Sequence, residues 1–328
     1  MRYAYQPLPG EPNQLCNIIA ASIIDEYERR DTTTAIRCSV NGGHGALFVS
    51  GQVLSQADFD VTALVKRVLS SNDIHEGIEP FIAIEPIASE NVGTARQACD
   101  KPVVAFGYAT KETPEFLPLP VVIARNVAKW LSEKRQNDPE WFWLGASGWV
   151  TCGSKDSAPD QLMIKIDHGN QEIALARRAI INSLVKEGIT NIKNVEINPL
   201  GESKSENLVK SLGQSSTLSQ AYGNFLPAVA NFSGKQSWHA EVLGRVIARD
   251  LAIELLKNNK SQAIMTRLLY TPGQTKPAQI WCKDERGNDL SSQIHITDLD
   301  LENAKSEKAL SGKLTEMLRW GLQESSAL

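Results

Sequence analysis

Amphipathic helical stripes alternate with short apolar runs along most of this chain of 328 residues. The stripes have helical spacing and cover 12–27, Val61–Val68, Pro120–Leu131, Ile173–Leu184 and Leu243–Leu255. The β-like runs between them are Ala46–Val49, Pro80–Ile84, Pro102–Phe106, Leu162–Ile166 and Ala278–Trp281. This alternation predicts a mixed α/β chain in which helices cover sheets. Its recurrence at roughly 100-residue intervals suggests three similar units.

Local signals refine this prediction. Asn13 is a plausible N-cap of the first helix, and Gly188 is expected to end the fourth. The polar stretch Cys152–Gln161 is predicted to be a surface loop. The longer stretch Glu202–Gln220 is rich in Ser, Lys and Asn, and such a length predicts a mobile or functional loop.

Composition narrows the class of protein. The chain is 42% hydrophobic and 22% charged, which is ordinary for a soluble globular protein. Its net charge of −4 gives no electrostatic reason to expect nucleic acid or an anionic membrane as partner. There is no apolar run of membrane-spanning length and no secretory leader pattern. Five scattered cysteines with no zinc-site spacing predict a reduced, cytoplasmic protein without a structural metal.

Common catalytic motifs do not account for a function. Phe232–Lys235 partly resembles a phosphate-binding loop. A P-loop requires a glycine at the position of Val229 and a Ser or Thr at the position of Gln236, so the motif is not met. The chain has neither a GxSxG nor an HExxH motif. Composition and pattern alone therefore predict no particular reaction.

One block does point to a family. Phe106–Pro120 resembles the FGYAT-x-ET-x-x-x-x-P-x-P block of S-adenosylmethionine synthetases, the methionine adenosyltransferases. Five weaker segments follow the same order as the family's GHPDK, GGEI, INQGV, INPTG and TYGG…FSGKD motifs, at Gly10–Gln14, Leu47–Val53, Asp73–Ile78, Ile197–Gly201, and Ala221–Gly223 with Phe232–Lys235. Together they cover most of residues 1–280.

The resemblance implies an α/β (α+β) fold of three intertwined domains of similar topology. We place the domains at 1–98, 99–222 and 223–328, the last truncated because the family's closing segment has no counterpart here. The family forms homodimers that pack sheet against sheet, with active sites at the interface. Its reaction transfers the adenosyl group of ATP to methionine and then hydrolyses the tripolyphosphate, assisted by Mg²⁺ and K⁺.

Many family site positions are altered in the first part of the chain. In the GHPDK segment the histidine, the metal-binding aspartate and the lysine become Glu11, Asn13 and Gln14. The potassium-site glutamate becomes Ser39, and the methionine-contacting glutamate becomes Gln52. A glutamate where the family has a cation beside phosphate would repel ATP.

Further replacements follow. The glutamine of INQGV becomes Glu76, and the lysine of the family's D-A-K segment becomes Ser147. The phosphate-binding GRK falls near residues 214–216, which are Gln, Ser and Ser. Trp149 stands near a site position where the family has a small or polar residue. This ring could stack on a base or fill the space left by lost phosphates.

The last group of positions is better retained. Asp100 matches the aspartate of the family's GDQG segment, and Lys235 matches the first lysine of FSGKDPSKVD. The second lysine becomes His239, and the metal-site aspartate becomes Glu241. Trp238, beside them, could likewise stack on a base or fill the space left by lost phosphates. We therefore predict Lys235 and His239 as catalytic candidates, weak or absent Mg²⁺ and K⁺ sites, and six ligand-binding candidates: Glu11, Gln52, Glu76, Asp100, Ser147 and Glu241.

Three hypotheses follow. The first is a repurposed family member that binds an adenosyl compound or another small amine-bearing ligand of amino-acid type. The second is a non-catalytic structural or regulatory subunit, pairing with a true synthetase. The third is an ordinary methionine adenosyltransferase. A pocket in which Lys235, His239 and Glu76 converge would favour an enzyme, whereas one filled by Trp149 or Trp238 would favour a structural role.

Overall fold

The fold was analysed in a computed structural model. It describes residues 2–43, 45–72, 74, 77–155, 158–189, 192–204, 222–226 and 234–321. The helices are α1 (Pro12–Arg30), α2 (Val61–Ser71), α3 (Val92–Ala95), α4 (Leu119–Asn137), α5 (Ile173–Lys186), α6 (Leu243–Asn258), α7 (Leu301–Lys308) and α8 (Leu314–Trp320). The strands are β1 (Arg2–Pro7), β2 (Ala35–Gly43), β3 (Ala46–Leu54), β4 (Glu79–Pro86), β5 (Val103–Thr110), β6 (Gly148–Lys155), β7 (Ala158–Ile166), β8 (Asn194–Ile197), β9 (Ala263–Tyr270) and β10 (Gln279–Asp284).

The strands form three sheets, in the orders β2-β3-β4, β1-β6-β7-β8 and β10-β9-β5. The first two sheets share one local plan. In each, an antiparallel pair is followed by a helix and then by a strand parallel to the second member of the pair. A parallel neighbour requires such a crossover, and α2 and α5 supply it. The predicted alternation of helices and strands arises from this repeat.

The sheets exchange strands along the sequence. β1 begins the chain, yet it pairs with β6 in the second sheet, with Arg2 opposite Ser154. β5 precedes the second sheet's hairpin, yet it pairs with β9 in the third sheet, with Val103 opposite Tyr270. The architecture is therefore the intertwined α/β (α+β) arrangement predicted from the sequence. The domain boundaries 1–98, 99–222 and 223–328 stay a proposal, because sheet membership crosses them.

The largest core lies around α1. Residues Leu15 to Ile24 of this helix are almost wholly buried, and α1 packs against β2, α2 and α8. The same core continues through α6 to the third sheet. Burial of each Ile or Leu side chain stabilises the fold by about 1.5–3 kcal/mol.

Polar side chains of α1 hold the last helix. Asp25 accepts hydrogen bonds from the backbone N–H groups of Leu314 at 3.0 Å and Thr315 at 2.8 Å, and from the Thr315 hydroxyl at 2.7 Å. At the other end of α8, the Gln14 side chain donates to the Leu318 carbonyl at 2.5 Å. Both ends of this short helix thus have backbone groups satisfied by α1.

Two local predictions were wrong. The N-cap of α1 is Glu11 rather than Asn13, because Pro12 occupies the first helical position and the Glu11 carboxylate accepts from the Gln14 N–H. Cys152–Gln161 is not a loop, because residues 152–155 form the end of β6 and residues 158–161 form the start of β7. Gly188 ends the α5 region with a positive φ of 78°, as predicted. Most of the stretch Glu202–Gln220 lies outside the described residues.

Within the described ranges, no helix combines the length and the apolar character needed to cross a bilayer.

Candidate functional site

Four of the predicted site residues form one cluster, which we call the His239 cluster: Asp100, Lys235, His239 and Glu241. His239 is fully buried in the segment leading into α6, and Asp100 lies before β5. The His239 Nε2 atom lies 2.9 Å from Asp100 Oδ1, and its Nδ1 accepts the backbone N–H of Glu241 at 3.1 Å. Because Nδ1 is an acceptor, a neutral ring carries its proton on Nε2 and donates it to Asp100. Both ring nitrogens are therefore engaged inside the protein.

Each carboxylate of the cluster also contacts a cation. Asp100 forms an ion pair with Arg37 of β2. Glu241 Oε1 lies 2.8 Å from Lys101 Nζ, and Glu241 Oε2 lies 3.7 Å from Lys235 Nζ. The loop that carries Lys235 is attached to β2 by a backbone bridge to Arg37. Sequence reasoning missed Arg37 and Lys101, since their partners lie 63 and 140 residues away.

These contacts set the charge of the cluster. The hydrogen bond from His239, with the Arg37 charge, outweighs burial and lowers the pKa of Asp100. Burial alone would raise the pKa of Glu241, but Lys101 and Lys235 hold it below its usual value. Burial lowers the pKa of the Lys235 ammonium against the opposing effect of Glu241. Both carboxylates are therefore ionised at neutral pH.

Gln52 lies at the edge of this cluster. Its position on β3 pairs with Arg37 on β2, so the two side chains project from the same face of the first sheet. Gln52 is exposed there. Glu76 lies outside the described residues, so its predicted convergence with Lys235 and His239 stays a prediction.

Glu11 and Ser147 belong to a different part of the molecule, a half-open cavity of about 380 Å³ that we call the Trp149 cavity. It is lined by Glu11, Pro12, Ser147, Gly148, Trp149, Lys165, Asp167, Glu202, Ser203 and Lys204. The His239 cluster contributes none of these lining residues. The structure therefore divides the predicted site residues into two groups rather than one.

Close backbone packing builds one wall of the Trp149 cavity. The Gly10 N–H donates to the Ala146 carbonyl at 3.2 Å, and a Cβ on Gly10 would come within 2.5 Å of the Ala146 side chain. Only glycine fits there. The next residue, Glu11, uses Oε2 to accept the Gln14 N–H at 2.9 Å, and burial raises the pKa of Glu11. The segments that resemble GHPDK and D-A-K are thus joined at this wall.

Cross-strand register builds the opposite wall. Trp149 on β6 stands opposite Lys165 on β7, and the Trp149 ring lies 6.3 Å from that of Tyr5 on β1. Asp167 is buried and accepts the Ser203 hydroxyl at 2.5 Å, with Lys165 Nζ 3.9 Å away. The sequence carries no local signal for Lys165 or Asp167, because their neighbours come from other strands.

Other expected positions do not face the cavity. Gln14, at the family's lysine position, is buried and holds the end of α8. Trp149 lines an open cavity and does not fill it. Trp238 is buried beside a smaller cavity of about 110 Å³, where the Lys305 ammonium lies 4.6 Å from its ring centroid. The pocket criterion therefore favours a binding role at Trp149 and a packing role at Trp238.

Comparisons with known proteins agree with this architecture. Residues 96–203 match the family model described as S-adenosylmethionine synthetase, central domain. An S-adenosylmethionine synthase of Aquifex aeolicus is 22% identical over 300 residues, covering 84% of this chain and 80% of that protein. One from Prochlorococcus marinus strain MIT 9515 is 22% identical over 345 residues, covering 90% and 82%. S-adenosylmethionine synthase 1 of Frankia casuarinae is 29% identical over 152 residues, covering 39% and 38%.

Three intertwined sheets with an ion-paired cluster and a separate polar cavity define an S-adenosylmethionine synthetase-like α+β protein. Together with these matches, they show that the chain is similar to S-adenosylmethionine synthases over most of its length, with residues 96–203 matching the family's central domain.

The residues present do not fit the family's Mg²⁺. Asp100 contacts His239 and Arg37 through its two carboxylate oxygens, and Glu241 contacts Lys101 and Lys235. A Mg²⁺ ion requires direct contact with such oxygens at about 2.0–2.1 Å. Among the described residues, no group of three or more His, Cys, Asp or Glu is arranged to hold a metal ion.

Proposed function

We propose that this protein is a repurposed S-adenosylmethionine synthetase relative, whose Trp149 cavity binds an adenosyl compound or a related small amine-bearing ligand with altered chemistry. The observation that carries the proposal is the charge of the cavity lining. Three carboxylates face it, from Glu11, Asp167 and Glu202, against two ammonium groups from Lys165 and Lys204. A volume of about 380 Å³ suits a small molecule.

This charge balance selects among ligands. A tripolyphosphate needs several fixed cations, and an excess of carboxylates would repel it. A ligand with an ammonium or sulfonium group and one carboxylate matches the lining better. The positive group of such a ligand then contacts the carboxylate of Glu11 or Asp167, and the ligand's carboxylate contacts the ammonium group of Lys165.

The aromatic wall suits the rest of such a ligand. Trp149 is held against Tyr5, so its ring offers a preorganised face. A purine base stacks on such a face, and a sulfonium group interacts favourably with its π electrons. An adenosyl sulfonium compound can make both interactions with the Trp149 ring. A simple amino acid has no base to stack there and interacts with the cavity only through its charges.

In the His239 cluster we propose different roles for the two catalytic candidates. Lys235 is partly exposed and has its Glu241 contact at 3.7 Å, so its ammonium group can contact a ligand directly. His239 has both nitrogens engaged, so we propose that it positions Asp100 and Glu241 and does not touch the substrate. Its role would then be indirect.

We also propose that the protein is a homodimer in the cytoplasm. Phe48 on β3 and Phe81 on β4 are stacked on the outward face of the first sheet, with ring centroids 5.3 Å apart and about half of each residue exposed. Exposed, stacked aromatic rings on a sheet face favour cover by another sheet. All five cysteines are buried and free, which supports a reducing compartment.

One observation favours the alternative of a non-catalytic subunit that pairs with a true synthetase. Gln14 replaces the family's lysine and is used to anchor α8, which is a structural task. This subunit hypothesis predicts that no adenosyl compound binds the chain alone, and that a true synthetase binds it.

Ligand-dependent thermal stability tests the proposal, because a ligand that binds only the folded state raises the melting temperature. S-adenosylmethionine, methionine, ATP and adenosine are compared with wild type and Trp149→Ala. Trp281→Ala is the matched control, since Trp281 is a half-buried tryptophan on β10 in the third sheet. We expect an adenosyl sulfonium compound to stabilise wild type and the control, with the shift lost in Trp149→Ala. No stabilisation of wild type, or an equal shift in Trp149→Ala, would overturn the proposal.

A further inference from the structure

Two buried carboxylates beside His239 each contact a cation that reaches solvent. The Asp100 side chain is 7% exposed and its partner Arg37 is 42% exposed. The Glu241 side chain is 6% exposed and its partner Lys101 is 52% exposed. The negative charges are thus fixed inside, while the compensating charges approach from the surface.

The cations contact the carboxylate oxygens that a metal ion would need as ligands. Arg37 contacts Asp100 Oδ2, and Lys101 Nζ lies 2.8 Å from Glu241 Oε1. With Lys235 included, three cations face two carboxylates, so a divalent ion entering the cluster would meet a net positive charge. Of the two carboxylates, Glu241 stands at a position where the family resemblance implies a metal-site aspartate.

One carboxylate oxygen of the cluster, Glu241 Oε2, is buried and accepts no hydrogen bond from the described residues. Its neighbours are Lys235 Nζ at 3.7 Å and His239 Nδ1 at 3.8 Å. The charge on this oxygen is therefore balanced by groups at 3.7–3.8 Å rather than by a hydrogen bond.

We infer that Arg37 and Lys101 are built-in counter-cations that replace a divalent metal at this cluster. The wild-type chain needs no Mg²⁺ for its fold. Removal of both side chains leaves Asp100 and Glu241 ionised beside an opening to solvent, and these carboxylates then recruit a divalent cation. The inference does not depend on the ligand proposed for the Trp149 cavity, whose residues are different.

The test compares wild type with the double variant Arg37→Ala/Lys101→Ala. Mn²⁺ binding is measured by electron paramagnetic resonance, and melting temperature is measured in EDTA and in Mg²⁺. The matched control is Lys66→Ala/Lys193→Ala, which removes two exposed, ion-paired lysines elsewhere. Adding Asp100→Asn to the double variant checks that any new binding is at this cluster.

We expect wild type and control to melt at the same temperature in EDTA and in millimolar Mg²⁺. The double variant should melt lower in EDTA, recover part of the loss with metal, and bind Mn²⁺ at least tenfold more tightly than wild type. Addition of Asp100→Asn should abolish that gain. Stabilisation of wild type by Mg²⁺ that Asp100→Asn removes would overturn the inference, and so would a folded double variant with unchanged Mn²⁺ affinity. If the double variant does not fold, Lys101→Ala alone is judged by the same comparison.

Discussion

The imidazole of His239 donates to Asp100 across 139 residues of sequence, at 2.9 Å and without exposure to solvent. A buried donor–acceptor pair of this kind stabilises the fold because neither group can find water if the other is removed. The pair also connects the segment before β5 to the segment before α6. Its other contacts, with Arg37 and Glu241, make it the centre of the His239 cluster.

The first prediction concerns acid stability. Because the pKa of Asp100 is lower in the folded protein, its stabilising effect is complete above the ordinary value of about 3.9 and is lost as pH falls below it. We expect Asp100→Asn to lower the free energy of unfolding by about 1–3 kcal/mol at neutral pH and to flatten the decline in acid. Urea denaturation across pH measures both effects.

Asp160→Asn is the control for that experiment. Asp160 forms a weak ion pair, because its oxygen lies as far as 4.0 Å from the ammonium group of the exposed Lys193. The unfolding free energy of Asp160→Asn should stay close to that of wild type. An Asp100→Asn curve parallel to wild type throughout the acid range would contradict the assigned ion pair.

The second prediction concerns assembly. We expect a wild-type homodimer, and we expect Phe48→Asp/Phe81→Asp to be monomeric because two carboxylates would be desolvated in an apolar interface. Light scattering at micromolar concentration distinguishes the states. Phe142→Asp is the control, since Phe142 is strongly exposed on a different element and should leave the dimer intact. A monomeric wild type, or a dimeric double variant, would disprove this assignment.

The third prediction concerns the family reaction. Lys235 is the one residue at a phosphate-contacting lysine or arginine motif position that keeps its charge, and loss of a single preorganised donor costs about 3–4 kcal/mol. We expect no useful synthesis of S-adenosylmethionine from ATP and methionine with Mg²⁺ and K⁺. Product and phosphate release are followed together. Turnover near about 1 s⁻¹, abolished by Lys235→Ala, would instead identify an ordinary synthetase.

The fourth prediction concerns α8. Asp25→Ala removes the acceptor for the Leu314 and Thr315 N–H groups, and loss of such a cap costs about 0.5–2 kcal/mol. We expect faster amide hydrogen exchange in residues 314–320, measured by mass spectrometry. Asp60→Ala, which removes the cap of α2, serves as the comparison and should accelerate exchange in α2 but not in α8. Unchanged exchange in α8 of Asp25→Ala would show that the cap is not needed.

The sequence by itself determined five of the eight helices and half of the strands in the described part of the chain, and it showed the resemblance to the family. Helices α2, α5 and α6 could be predicted because burial of one helix face requires apolar residues every three or four positions. The resemblance to the family could be found because Phe106–Pro120 matches the residues and spacing of the family's FGYAT block. Strands such as β6 were missed because small and polar residues, among them Thr151, Gly153 and Ser154, interrupt the apolar run.

Only the tertiary structure decided how the site residues meet. The exchange of β1 into the second sheet, the approach of Arg37 to Asp100, and the placement of Trp149 opposite Lys165 all depend on strand register and on chain segments far apart in sequence. A local pattern records whether a residue is buried. It does not record which distant residue is its neighbour, because that choice is made by the packing of whole sheets and helices.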